Sequence, residues 1–478
     1  MKYLLIVFFS LINIISLSKS EKLIFVELQS RHGARGPLDL NEKNEDLLGE
    51  KWSSLGELSG VGQRMEYILG LRNRQRYITN KKFLSEKFDP HEILVYSTSI
   101  NRTLLSMTSQ LQGLYPISLK LGETLNSKQL EFSNPPIDFS YEEIEQEISR
   151  LENCSLPNYM TMIPIHMISP FEKKIVVYDY IDCKPNVDKI TDKNLNEKEP
   201  IHNITNFFNK KYAKNLSKYY DKPEDFKYEF ENISKICDAF IADYTERRPM
   251  TQFLEKTNIN DIETFIEDCK EFIGINFKEK LFGDHKLEVL SLEASGILKE
   301  MLHYMKVKVN EDINKEKILF SDYSKPKMVI ISGHDTTLAA QILFLIKIFK
   351  LDIEIYKLPA FSSQVAVEVS RDENEEGKEY RDYSVKVYYN DDLFLNITMD
   401  EFIQTVEYNL WSQERVDLFC YGDNNENIKF NANIIIIISI SIIVVVLLII
   451  IIILINKIGK KEENDVDSID SDNLINDD

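Results

Sequence analysis

Residues 434–455 are 22 consecutive positions of Ile, Val and Leu broken only by Ser439 and Ser441, with no charge among them. Such a run admits one ordered structure. About 20 apolar residues in an α-helix span a bilayer, and within lipid a single helix satisfies its own backbone hydrogen bonds. Lys457, Lys460 and Lys461 follow at once and orient that end toward the cytoplasm. The first 20 residues read as a secretory signal: Lys2, apolar stretches over 4–9 and 11–15, then Ser18 and Ser20 ahead of Glu21. The expectation is a single-pass type I membrane protein, lysosomal, endosomal or at the cell surface, with its body lumenal or extracellular. The polar tail at 456–478 argues against a lipid-anchor signal, which ends in its apolar stretch. Within that tail Asp470-Ser471-Asp472-Asn473-Leu474-Ile475 is similar to an acidic dileucine sorting signal.

The body carries the acidity of the chain. The formal net charge is −20, the first 20 residues contribute +2 and residues 457–478 contribute −5, so about −17 lies between them. A cationic surface is what a phosphate backbone rewards, so nucleic-acid binding is excluded as a main function. Aromatics at 11% and hydrophobics at 43% exclude a disordered chain. Asn-X-Ser/Thr sequons begin at Asn101, Asn153, Asn203, Asn215, Asn232 and Asn396, all in the body. The five cysteines, Cys154, Cys183, Cys237, Cys269 and Cys420, permit two disulfides and one leftover thiol in an oxidising compartment. Without a CxxC, HxH or HxxxH spacing, neither a metal nor another cofactor is expected. Nothing in the sequence fixes the oligomeric state, and a homodimer is allowed.

Residues 22–28 (KLIFVEL) read as a buried strand that runs into the Gly- and Pro-containing loop RHGARGP. Residues 58–77 predict a helix with Met65, Ile68 and Leu69 on one face, residues 91–97 a second strand, and residues 102–114 a helix. Residues 289–307 predict one long amphipathic helix. Residues 327–332 predict a third strand ending in Gly333-His334-Asp335, and 365–370 and 383–389 alternate like antiparallel strands. Between 134 and 290 the composition turns to Lys, Asn, Glu and Tyr with helical periodicity. The predicted fold is α/β, a mixed sheet flanked by helices with a mainly helical insertion, followed by one transmembrane helix. The expected organisation is a signal at 1–20, a catalytic α/β domain from 21–133 and 291–420, and a helical cap at 134–290. A linker at 421–433, the span at 434–455 and a cytoplasmic tail at 456–478 complete it.

Three predicted strand ends carry charge. Arg31, His32 and Arg35 follow the first strand, Arg102 opens the helix after the second, and His334-Asp335 follow the third. Ligands of open α/β sheets bind beyond the carboxyl ends of strands. Guanidinium forks match phosphate oxygens, and a helix N-terminus adds backbone donors and a positive dipole end. An anion, a phosphoryl group above all, suits this set. Gly60-Val61-Gly62 lacks a dinucleotide fingerprint and reads as a helix start. Asp284-His285, His91, His166, His202 and His303 show no partner pattern.

At these residues the sequence resembles the histidine acid phosphatases of the phosphoglycerate-mutase-like superfamily. RHGARGP at 31–37 matches their RHGxRxP, and GHDTTL at 333–338 their HD signature. STSINRTLLS at 97–106, LSGVG at 58–62, LRNRQRY at 71–77 and IPIH at 163–166 give further support. The likeness covers most of 21–420, and the layout is most similar to the lysosomal and prostatic type. It implies hydrolysis of phosphate monoesters without a metal. His32 would be the nucleophile that becomes phosphohistidine, Arg31, Arg35, Arg102 and His334 would bind the phosphoryl oxygens, and Asp335 would protonate the leaving oxygen. The family often reads RSTD where this chain has Tyr96-Ser97-Thr98-Ser99, so a positive and a negative neighbour of the site are missing. A glycan on Asn101 would crowd Arg102, so that sequon is expected to be unoccupied. The likeness also implies a Cys183–Cys420 disulfide, which leaves Cys237 and Cys269 for a second and Cys154 free. The alternatives are an inositol-phosphate or lysophospholipid phosphatase of the same superfamily, or a catalytically dead receptor or adhesion ectodomain. The first usually carries extra Lys and Arg, which the acidic body disfavours; the last is disfavoured by the presence of both His32 and Asp335.

Overall fold

The computed structural model describes residues 20–39, 55–133, 135–136, 141–168, 199–248, 250–259, 261–282, 287–315, 326–352 and 359–421. In chain order the first elements are β1 (Glu21–Arg31), α1 (Gly60–Asn73, continuing as a π-turn through Asn80), β2 (Ile93–Thr98) and α2 (Asn101–Leu114). Two short helices, α3 (Ser127–Glu131) and α4 (Glu142–Leu151), precede β3 (His166–Ile168). Then come α5 (Glu199–Phe208), α6 (Lys214–Tyr219), α7 (Phe230–Thr245), α8 (Thr251–Thr257), α9 (Ile262–Phe282) and α10 (Leu287–Asn314). The last are β4 (Met328–Gly333), α11 (Asp335–Phe349), β5 (Gln364–Asp372), β6 (Tyr383–Tyr389), β7 (Asp392–Thr398) and α12 (Met399–Asn409). Residues from 413 onward form a unit of their own, in which α13 (Gln413–Tyr421) is the described helix.

Among the described residues seven strands make one mixed sheet in the order β3-β2-β4-β1-β5-β6-β7. β1, β2, β3 and β4 run parallel, and β5, β6 and β7 pair antiparallel. β1 is central and buried along eight successive positions, which is why KLIFVEL lacks polar alternation. The period of two appears instead in which core each residue enters. Val329 and Ile331 of β4 join α10, α11 and α12 on one face, whereas Met328 and Ile330 join Tyr77, Ile78 and α2 on the other. The sheet is thus covered on both faces by helices, as the sequence predicts.

The helices beside the site are held by glycine. A Cβ on Gly70 of α1 would lie 1.9 Å from the Gln110 carbonyl oxygen of α2, and one on Gly113 2.0 Å from that of Tyr67. The two backbones touch, so their N-termini flank the loop after β1. This contact corrects the predicted face of α1. Its buried residues are Gly62, Glu66, Gly70 and Asn73, while Ile68 is 52% exposed. Close backbone approach, not apolar spacing, selects that face. α10 departs from expectation in its first part, where every residue from Val289 to Leu298 is buried, while Lys299, Glu300, His303 and Lys306 form the predicted polar stripe beyond it.

Helices α5 to α9 enclose a separate aromatic core, with Phe208, Phe240, Phe253, Phe265 and Phe272 at its centre. Cys237 of α7 and Cys269 of α9 are disulfide-bonded across it, and Cys154 is a free, buried thiol. Cys183, Asp284-His285, the signal segment and the apolar run lie outside the described residues, as does the side chain of Cys420. Among the described residues no helix is long and apolar enough to cross a membrane.

Candidate active site

β2, β4 and β1 lie side by side and parallel, with Ser97 opposite Ser332 and Arg31 opposite Gly333. Their carboxyl ends therefore deliver Thr98, His334 and His32 to one spot, and all six site residues singled out in the sequence converge there. The loop after β1 is pinned from three sides. The His32 backbone N–H donates to the Gly333 carbonyl at 3.0 Å, the Gly33 N–H to Ser106 Oγ of α2 at 3.1 Å, and the Ser59 N–H to the Ala34 carbonyl at 3.0 Å. Ser59 is also the N-cap of α1, accepting from the Gly62 N–H. A Cβ at Gly33 would stand 2.4 Å from the Gly62 carbonyl oxygen, so the LSGVG segment seats the RHG loop by backbone contact.

His32 is 2% exposed. Its Nδ1 lies 2.8 Å from the Gly33 carbonyl; a proton held there leaves the lone pair on Nε2. Burial first, then the charges of Arg31, Arg102 and Arg35, push its pKa well below the usual imidazole range, against a smaller opposing effect from Gly33. A ring this placed stays neutral, hence nucleophilic, in acid. Its neighbours are the rings of His334 at 5.6 Å and Phe361 at 5.8 Å between centroids.

The cations are individually anchored. Arg31 pairs with Asp335 (Nη2–Oδ2 2.8 Å), donates to the Pro359 carbonyl at 2.5 Å and stacks 4.2 Å from the Phe361 ring centre. Arg35 makes a two-pronged contact with Asp238 of α7, 2.9 Å from Nη2 to Oδ1 and 3.3 Å from Nη1 to Oδ2. Arg102, second residue of α2, donates to the Gly56 carbonyl at 3.4 Å and approaches His334 Nδ1 at 3.4 Å. His334 caps α11, receives a place 3.1 Å from Thr98 Oγ1 through Nε2, and has its pKa pushed down to about 4 by burial and then Arg102. Both of its nitrogens thus have protein partners. Asp335, the first residue of α11, holds the Thr336 N–H with Oδ1 at 2.8 Å.

One residue of the site carried no sequence signal and another only a weak one. Asp238, in the helical insertion, answers Arg35 across some 200 positions of chain. Thr98 lies between Tyr96 and Ser99, the two positions where charged neighbours are missing. Its hydroxyl is 2.7 Å from that of Thr103, whose own lies 2.8 Å from the Ile100 carbonyl, a neutral chain behind His334. The STS stretch at a strand end is the only trace Thr98 leaves in the sequence. Of the remaining histidines, His91 pairs with Asp89, and His166 opens β3 beside the ring of Tyr96, away from this cluster. Among the described residues no group of His, Cys, Asp or Glu is arranged to hold a metal. A cleft of about 860 Å³ opens above Arg31, Arg35 and Asp335, walled by α7 and α9.

The family model of the histidine phosphatase superfamily, branch 2, matches residues 22–390. Bovine prostatic acid phosphatase is 22% identical over 385 residues, covering 78% of this chain and 79% of its own. Lysosomal acid phosphatase of Xenopus laevis is 25% identical over 333 residues, 69% of this chain and 63% of its own. Among solved structures, the phytase of Citrobacter braakii shares the fold with a TM-score of 0.52 at 13% identity, over 82% of this chain and 99% of that one. This chain belongs to the histidine phosphatase superfamily, branch 2.

Proposed function

We propose that the protein is an acid phosphatase that hydrolyses phosphate monoesters through a phosphohistidine on His32. The observation that carries this is a buried imidazole with Nδ1 tied to Gly33 and with Arg31, Arg35 and Arg102 around it. His32 Nε2 attacks phosphorus as the ester P–O bond breaks, and Asp335, protonated once the phosphoryl group has taken its place on Arg31, gives its proton to the departing oxygen. Asp335 then takes a proton from water, which attacks phosphorus and breaks the P–N bond, releasing phosphate and returning both residues to their starting states. The arginines stabilise the charge spread over the three equatorial oxygens. A bound phosphoryl dianion raises the basicity of His334, which then donates from Nδ1 in place of accepting from Arg102.

The sign of the pH dependence follows from the shifts. An imidazole of ordinary pKa 6.5 loses about thirtyfold of its neutral form on going from pH 8 to pH 5. With His32 held well below that range, kcat/KM for p-nitrophenyl phosphate at pH 5 is expected to stay within about threefold of its maximum, since the acid limb reports the free enzyme's base. Arg102→Gln removes one of the charges responsible and should move that limb upward. A wild-type limb near 6.5 that Arg102→Gln leaves in place would refute the assignment. Stability runs the same way. The unfolded chain takes protons on these histidines below about 6.5 and the folded site does not, so stability falls as pH drops from there toward 4.

The body is assigned to the lumenal or extracellular side of a membrane, held by residues 434–455. Apart from Asn101 beside the site, the asparagines of four sequons, at 153, 203, 232 and 396, are exposed and that at 215 is half-buried, which suits a glycosylated surface. Replacing Leu474 and Ile475 by Ala should move the protein from endosomal or lysosomal compartments to the cell surface; an unchanged distribution would remove the sorting signal from this account.

A further inference from the structure

The cleft above the site is electrically balanced. Four cations lie in its lining, and each has a carboxylate of the same lining as partner. At the floor Arg31 is matched by Asp335 and Arg35 by Asp238. Higher up, Lys235 stands 2.7 Å from Asp39, and Lys270 2.7 Å from Glu267. The upper two pairs are exposed and hold little energy, but they leave no surplus positive charge for a second anion. The rest of the lining is largely apolar, with Phe361 and Met65 facing Ile241 and Ile273 of the insertion.

Asp238 is the decisive member. Its partner Arg35 is 7% exposed at the side chain and Asp238 itself 24%, so this pair is far less screened than the lysine pairs. The carboxylate also accepts the Leu38 backbone N–H at 2.8 Å, which fixes its position. It sits next to Cys237, whose bond to Cys269 locks α7 against α9. A reacting phosphoryl group has Arg31, Arg102 and His334 as well as a share of Arg35. A second phosphate on the same substrate would meet the fixed carboxylate of Asp238, whose one partner, Arg35, is already shared with the reacting group.

We propose that Asp238 is a specificity-determining residue that confines the site to one phosphoryl group and leaves the cleft to an apolar alcohol. The substrates are then monoesters of alkyl or aryl alcohols, not polyphosphorylated polyols. This rests on the phosphatase reading above, yet its test does not need turnover. In the full chain carrying His32→Ala, which cannot form the covalent intermediate, calorimetry compares hexyl phosphate with hexane-1,6-diyl bisphosphate. The two ligands share one chain and differ by the distal phosphate. Hexyl phosphate is expected to bind about tenfold more tightly, and added Asp238→Asn, which keeps the hydrogen-bonding shape, should narrow the ratio to about threefold or less, chiefly by strengthening the bisphosphate. The ratio with Asp238 in place should also shrink with salt, which a purely structural role for Asp238 would not produce. Equal affinities, a preference for the bisphosphate, a ratio that Asp238→Asn leaves unchanged, or no binding of either ligand would each overturn the proposal. Failure of the phosphohistidine would show separately, as wild-type protein that traps no label on His32.

Discussion

His32→Ala is expected to lower kcat/KM for p-nitrophenyl phosphate by about 10⁴-fold or more, the scale seen when a covalent nucleophile is removed. The loss is chemical, not a loss of binding. Arg31, Arg35 and Arg102 are anchored to Asp335, Asp238 and the Gly56 carbonyl, none of which depends on the imidazole. Inorganic phosphate should therefore still bind to the variant within about tenfold of wild type, since charge-assisted donors to phosphate all remain. The loop is also held by backbone bonds of residues 32 and 33, which Ala retains, so the fold should persist. Retention of more than a few per cent of activity would show that another group attacks phosphorus.

The second large effect concerns Asp335→Asn, and its signature is unequal between substrates. p-Nitrophenolate leaves readily without a proton, whereas an alkoxide needs one. The phosphorylation rate with glycerol phosphate should fall by about 10²–10⁴-fold, the range general acids supply, and with p-nitrophenyl phosphate by much less. Single-turnover rates are needed, because slowed hydrolysis of the phosphohistidine would mask the step in kcat. Asn also loses the charge that pairs with Arg31, so a modest common loss on both substrates is expected beneath the difference. Equal losses on both substrates would assign Asp335 to holding Arg31 and leave the proton donor elsewhere.

How far the sequence reveals this site depends on how far apart the interacting residues lie. The strand-to-loop junctions at Arg31, Arg102 and His334 are local patterns, apolar β-rich runs stopped by Gly, Ser or a helix start, and each is found where the residues predict. That the three junctions meet is fixed by the sheet order β2-β4-β1, which the parallel-strand rule suggests but does not determine. The face of α1 was illegible because its contact with α2 is made by Gly70 and Gly113, whose lack of a side chain carries no hydropathy signal. β7 escaped notice since Asp392–Thr398 alternates weakly and sits at the sheet edge, exposed at most positions. Asp238 is one acid among many in a helix, and only the folded insertion brings it against Arg35. Pairings of that kind leave no local trace.

The most direct test of the central claim is rapid acid-free quenching of the wild-type chain during turnover of a ³²P-labelled monoester, followed by peptide mapping. The account predicts a burst of protein-bound label that is stable in alkali, lost in acid, carried by the peptide containing His32, and absent from His32→Ala. Label on a serine, or steady hydrolysis with no trapped label under conditions where hydrolysis of the covalent intermediate limits turnover, would contradict it.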